Sequence, residues 1–356
     1  MPEVHERRRA RLAERLPAVD AEAVLVSHLV DVRYLTGFTG SNAALLLHAD
    51  GAATIATDGR YQDQVAQQCP DLPAVIGRAL VPDLLQGAPV RRVAFQADAV
   101  TVADFEAWRT LGPGFVRLGD ALRELRQVKD DTEIAALRRA CRVSDEALAA
   151  VLPQVRVGLT ERQVARLLES TMLDLGAEAV SFETIVATGP NSAIPHHEPT
   201  DRAIAAGDFL KIDFGALVDG YHADETRTFC VAAAPEPWQQ EVYLAVAAAQ
   251  QAGRDALAPG RSGVEVDDAA RTVLRDAGLA DHFTHGLGHG VGLEIHEAPF
   301  LGATSVDRLA SGVPVTVEPG VYLPGRGGVR IEDTLVVRHG RPESLTTTTR
   351  ELLVIG

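Results

Sequence analysis

The chain is poor in lysine, cysteine and long apolar runs, and each shortage excludes something. Its 34 basic residues include only Lys129 and Lys211 as lysines, and the sequence offers no functional account of that bias. Acidic residues number 49, so the net charge is −15, which excludes nucleic acid as an expected partner. The single basic run, Arg7, Arg8, Arg9 and Arg11, is interleaved with Glu3, Glu6 and Glu14 and reads as a solvated helix face. The three cysteines, Cys69, Cys141 and Cys230, lie far apart, which argues against a disulfide framework and a CxxC metal site and fits a reducing cytoplasm. Cys230 reads as a small core residue. No run of 18 or more apolar residues occurs, so no membrane-spanning helix is expected. The first thirty residues show no apolar stretch with a cleavage site, so no signal peptide is expected either.

What is present is an ordinary globular composition, 46% apolar and 23% charged, over 356 residues. That length suggests two domains. The first third alternates strand-like segments at 23–27, 43–47, 52–57 and 92–95 with helix-like segments at 60–68 and 101–111. Turn signals fall at Gly37, Gly51, Gly112 and Gly114. A charged stretch at 122–131 precedes a new helical pattern, which places the boundary near residue 127 and predicts domains at 1–127 and 128–356. The second part repeats a pattern: helices at 132–152 and 160–175, strands at 208–214 and 221–231, helices at 237–257 and 264–277, strands at 313–322 and 329–337. Two such halves can pack as one curved sheet with helices outside and a polar cleft inside.

The strands of both pairs carry acids. Strand side chains alternate between faces, so Leu210, Ile212 and Phe214 face one way and Asp213 the other. By the same count Asp224 shares a face with Thr226 and Thr228, Glu318 lies opposite Val315 and Val317, and Glu332 shares a face with Arg330 and Thr334. Any one of these acids alone would read as an exposed strand residue. Four in matched positions would repel one another in a shared cleft unless cations cancelled the charge. Hard oxygen ligands suit divalent ions, and two such ions balance four carboxylates.

Residues 281–297 (DHFTHGLGHGVGLEIHE) hold His282, His285, His289 and His296 among four glycines, which let backbone approach a metal or substrate closely. The spacing fails the zincin HExxH test, because Phe300 stands where the second histidine is needed. It also fails GxGxxG, and no GxSxG elbow occurs, so neither a dinucleotide site nor a serine hydrolase is supported. A further pair, His196 and His197, lies between prolines in a loop, where one of the two is expected to be exposed and inert.

Taken together, HGLGHGVGLEIHE, VEPGVY, RIEDT, KIDFGALVDGYHADETRTF and SFETIVATGPNSAIPHH resemble the prolidase and aminopeptidase P branch of the pita-bread metallopeptidases. RYLTGFTGSNAALLL and ATDGRYQDQ are similar to the smaller first domain of that family. The resemblance implies an α/β (α+β) chain: a creatinase-like N-terminal domain, then a pita-bread catalytic domain with a pseudo-twofold. It implies five metal ligands, Asp213, Asp224, His289, Glu318 and Glu332, holding two divalent ions (manganese, cobalt or zinc), with Asp224 and Glu332 bridging. His196 and His296 match histidines that hold the substrate and the tetrahedral intermediate, and Glu318 would also shuttle the proton. His285 and Arg330 match further cleft residues that shape the proline pocket or support the metal ligands from behind. The implied activity is hydrolysis of the bond before proline, in Xaa-Pro dipeptides first and in longer peptides as the alternative. A homodimer is implied as well. The complete ligand set sets the chain apart from creatinase and from non-catalytic binding modules, and the RIED context from methionine aminopeptidase.

Overall fold

Several helix starts are written locally. Asp130 with Glu133, Thr160 with Gln163 and Ser262 with Glu265 each form a capping box, in which the two side chains satisfy one another's backbone N–H groups. The computed structural model describes residues 2–86 and 88–356. The backbone divides into two units, Met1–Arg126 and Gln127–Gly356.

The first unit runs α1 (Pro2–Ala13), β1 (Ala23–Val26), α2 (Leu29–Thr36), β2 (Ala43–His48), β3 (Ala53–Thr57), α3 (Gln62–Gln68), β4 (Ala74–Ile76), α4 (Leu80–Leu85), β5 (Arg92–Phe95), α5 (Val102–Trp108), β6 (Gly114–Arg117) and α6 (Ala121–Gln127). Its six strands form one mixed sheet in the order β4-β3-β2-β1-β5-β6. The four expected strands are its interior. The edge strands β4 and β6 escape sequence reading because three or four half-exposed residues carry no period. The basic run on α1 is a solvated face only in part, with Arg7 and Arg11 exposed. Arg8 and Arg9 are buried and donate to the carbonyls of Tyr34 and Leu35 at the end of α2, and Arg9 also pairs with Asp71. Helix carbonyls without intrahelical partners are good acceptors for guanidinium, which is what draws these arginines inward.

In the second unit α7 (Asp131–Val151) and α8 (Glu161–Asp174) lead into β7 (Ala179–Val180), β8 (Ile185–Thr188), β9 (Phe209–Phe214), β10 (Ala216–Val218), β11 (Tyr221–His222) and β12 (Glu225–Val231). Helices α9 (Pro237–Ala256) and α10 (Gly263–Asp276) lead into β13 (Gly288–Gly290), β14 (Glu297–Leu301), β15 (Pro314–Val317), β16 (Gly320–Leu323), β17 (Gly327–Arg330) and β18 (Asp333–Val336), followed by β19 (Glu343–Ser344) and β20 (Val354–Ile355). The halves match: β8-β9-β12 are consecutive antiparallel neighbours in one sheet, β13-β15-β18 in another. Each half has its own core. Val164 and Leu168 of α8 pack with Leu210, Ile212 and Phe214 of β9, while Val246 of α9 and Val266 of α10 pack with Val315 and Val317 of β15. Burying side chains of this kind stabilises by roughly 1.5–3 kcal/mol each. That gain fixes which face of each strand turns away from the helices, and the polar residues are left on it.

Buried charge stitches the halves. Arg227 on β12 donates to Asp333 Oδ1 on β18 at 2.8 Å, and the Glu332 N–H donates to the Thr226 carbonyl at 3.1 Å. Asp333 also pairs with Arg254 and Arg350. Replacing Asp333 with Asn leaves these guanidinium groups short of a counter-charge, so a loss of about 3–5 kcal/mol is expected in urea unfolding, with the slope unchanged. In the first unit, burial pushes the Asp31 carboxyl up, but His28, Arg126 and Gln96 together hold it below its ordinary value. A depressed carboxyl stabilises the fold above its unfolded pKa and loses that stabilisation as pH falls through the folded one. Asp31→Asn should therefore cost about 1.5–3 kcal/mol at neutral pH and flatten the fall in stability below about pH 4. Acid titration of the unfolding midpoint in both proteins checks it.

Candidate metal centre

The alternation of apolar residues predicts acids inside continuous strands, and the structure differs in an informative way. Only Asp213 lies within a strand, β9. Asp224 falls in the break between β11 and β12, Glu318 between β15 and β16, and Glu332 between β17 and β18. At each break the chain passes from one sheet to another. The ladder hydrogen bonds stop there, and the side chain is freed to point across the cleft.

His289 reaches the same place from β13, which runs between β14 and β15. Its neighbours must be glycine. A Cβ on Gly288 would lie 2.1 Å from the Thr316 carbonyl oxygen, and one on Gly290 would lie 2.4 Å from that of Ala298. Both obstacles are backbone and cannot swing aside.

All nine residues singled out in the sequence line one cavity of about 1070 Å³. Asp224, His289 and Glu332 each offer a ligand atom within 4.8 Å of the others. Glu318 joins them through Oε1, 3.4 Å from His289 Nε2, and Asp224 Oδ2 is equally far from that nitrogen. Asp213 lines the same cavity and pairs with Arg330. His282 does not line the cavity.

These groups fit a bound cation. Asp213 Oδ1 and Glu332 Oε1 are buried without a hydrogen-bond partner. A buried acceptor left bare is costly, and a metal ion satisfies it. Burial raises the Asp224 carboxyl well above its usual range, and the charges of Asp213 and Glu318 add to it. Glu332 is raised in the same way by burial and by Asp224, Glu318 and Asp213. Burial pushes Glu318 up to about 8 although Arg330 opposes it. His289 donates Nδ1–H to the Gly290 carbonyl at 3.0 Å, which leaves the Nε2 lone pair facing two carboxylates. A lone pair aimed at carboxylates is repulsive unless a cation lies between them. Burial lowers His289 to about 4, so the neutral, ligating form prevails near pH 7.

The remaining residues frame the cavity. His196 and His296 are exposed on its wall. His285 has both ring nitrogens engaged: Nδ1 donates to the Gly286 carbonyl at 2.8 Å, and Nε2 accepts from Tyr322 Oη at 2.9 Å. Arg330 is buried and donates to Asp213, to Tyr322 Oη at 2.8 Å, to the Pro195 carbonyl at 3.1 Å and to Thr226 Oγ1 at 3.1 Å. The sequence reading gives Tyr322 and Thr226 no role, although both lie within its quoted segments, Tyr322 four residues after Glu318 and Thr226 two after Asp224. The expectation of an idle histidine at 196–197 is not met. Both line the cavity: His196 is exposed on it, and His197 is buried and bonds Glu161 Oε2 at 2.8 Å.

The description "Metallopeptidase family M24" matches residues 135–339. The chain belongs to that family. Residues 8–128 match the Creatinase/Prolidase N-terminal domain, so the M24 domain here follows a creatinase-type first domain. Among M24 relatives, the Xaa-Pro dipeptidase of Pyrococcus furiosus is 41% identical over 239 residues, 67% of this chain and 68% of its own. The structure of the Xaa-Pro dipeptidase from Bacillus anthracis superposes with a TM-score of 0.94 at 34% identity, covering 98% of this chain and 99% of that one. The X-Pro aminopeptidase of Thermotoga maritima gives 0.89 at 33% identity, covering 96% and 99%. The paired halves of the second unit are the pita-bread fold of M24, and a metallopeptidase of this family works with divalent metal ions.

The glycine constraint is directly testable. Gly288→Ala forces β13 away from β15 and should lower stability by about 1–3 kcal/mol. Because His289 moves with the strand, metal affinity should fall with it, as isothermal titration with manganese would read.

Proposed function

We propose that this protein hydrolyses the peptide bond preceding proline in Xaa-Pro dipeptides, using two divalent ions held by Asp213, Asp224, His289, Glu318 and Glu332. What supports the reading is that Asp224, His289 and Glu332 offer ligand atoms within 4.8 Å of one another, with Glu318 Oε1 3.4 Å from His289 Nε2 and Asp213 on the wall of the same cavity. The dipeptidase names of two close relatives support the substrate class. Asp213 would serve one ion, His289 and Glu318 the other, with Asp224 and Glu332 shared between them. Four carboxylates and one imidazole make an oxygen-rich set that suits manganese best among the three candidate metals.

When bound, such ions supply Lewis acidity that activates water and polarises the scissile carbonyl. The residues of the chain do the rest. His196 and His296, exposed on the cavity wall, donate to the carbonyl oxygen as negative charge develops there. Glu318 accepts a proton from the attacking water and passes it to the leaving proline nitrogen. That nitrogen carries no hydrogen in the substrate, so recognition falls to the shape of the ring, and the nitrogen gains its proton only as the bond to the carbonyl carbon breaks. Arg330 and Tyr322 hold Asp213 and His285 in place beneath the cavity. Phe182, Ile295 and Phe300 give the cavity apolar wall for the residue before proline.

Asp224→Ala should abolish both metal uptake, read by elemental analysis, and turnover; a fully active variant would sink the ligand assignment. On the wild type, Ala-Pro and Leu-Pro should turn over faster than Leu-Pro-Gly, and Leu-Ala should not be cleaved. Faster cleavage of the tripeptide would move the assignment to an aminopeptidase.

A further inference from the structure

His196 sits on a segment, 189–199, that is gripped from behind at several points. On one side is Glu161, the first residue of α8 and fully buried. Its carboxylate accepts five hydrogen bonds from the two ends of the segment. Oε1 takes Thr188 N at 2.8 Å and Asn191 Nδ2 at 2.9 Å. Oε2 takes His197 Nε2 at 2.8 Å, Thr200 N at 2.9 Å and Thr200 Oγ1 at 2.6 Å. One carboxylate thus closes both ends of the loop on a single point.

On the other side is Lys211, one of only two lysines in the chain. It lies on β9, fully buried, and no carboxylate pairs with it among the described residues. Its ammonium donates to the carbonyls of Ile194 at 2.7 Å and Pro195 at 3.2 Å. The Pro195 carbonyl also accepts from Arg330, so it is held twice, immediately before His196. A buried amine is costly to desolvate, and a methionine would fill the same volume without that cost. What the amine adds is a grip on these two carbonyls, alongside a cation–π contact with the Tyr322 ring at 5.1 Å. Neither Glu161 nor Lys211 lines the cavity, so neither can touch a substrate in it.

We propose that residues 189–199 form a preformed mount for the His196 imidazole, and that Glu161 and Lys211 are positioning residues of the reaction that act through it. A donor to a developing oxyanion helps in proportion to how little it must reorganise, and a loop tied at both ends and in its middle supplies that rigidity. The inference rests on the reading of His196 as a group that acts on the substrate.

The test uses the metal-loaded full chain with E161Q, K211M, H196A and the doubles E161Q/H196A and K211M/H196A. E161Q and K211M keep size and remove donors or acceptors, so metal stoichiometry should stay at the wild-type value. In both, amide exchange of 189–199 should speed at least tenfold, and kcat on Leu-Pro should fall about tenfold with KM within twofold. In the doubles, neither change should slow H196A further, because a mount without its imidazole has nothing to position. Unchanged exchange in 189–199, or additive slowing in the doubles, overturns the mount. Full activity in H196A alone overturns instead the role given to His196. A slow H196A beside E161Q and K211M at wild-type kcat overturns the mount only.

Discussion

Mutual repulsion among buried carboxylates is the constraint around which the second unit is organised. Asp213, Asp224, Glu318 and Glu332 share one cavity, and burial together with their neighbours' charge raises the last three far above ordinary carboxyl values. A single buried charge without a partner costs several kcal/mol, and four together cannot persist ionised without positive charge among them. Arg330 answers only Asp213 directly. The unpartnered oxygens of Asp213 and Glu332 mark where further positive charge belongs. The neutral imidazole of His289, with its free nitrogen aimed at two of the acids, belongs to the same design.

The fold bears that frustration by anchoring each acid on something cheap. The helical faces of the strands are apolar and pack against α7 and α8 in one half, α9 and α10 in the other. Three of the acids, Asp224, Glu318 and Glu332, occur where strands stop and the chain crosses to another sheet, while Asp213 keeps its place in the β9 ladder. Neighbouring charge is neutralised locally: Asp333, beside Glu332, is held low by Arg227, Arg254 and Arg350 despite its burial. Two polar systems thus lie back to back, one closed on itself and structural, the other left open for cations. Adjacent residues in one chain segment, Glu332 and Asp333, serve opposite systems because alternate residues face opposite sides.

Much of this was legible in the residue order. Period two in LKIDF separates Asp213 from its apolar neighbours, and the same separation appears in the structure. The helix-helix-strand-strand repeat is readable from capping residues and periodicity alone. Less legible were β13 and β14, because GHG and EAPFL carry neither alternation nor length. The arginines of α1 misled for a related reason: charge in a sequence says nothing about whether carbonyls wait nearby to receive it. The breaks at Asp224, Glu318 and Glu332 were invisible, since each lies within a run that reads as one continuous strand.

Residue types and their spacing along the chain determined which groups could ligate, because carboxylates, imidazoles and flanking glycines are chosen one position at a time. Which of them meet was decided by tertiary structure alone. Convergence depends on where sheets end and on which face each core covers, and those are set by long-range burial between residues a hundred positions apart. The same holds for Glu161 and Lys211. Nothing beside them in the sequence marks them, and their significance lies wholly in the loop that folding lays across them.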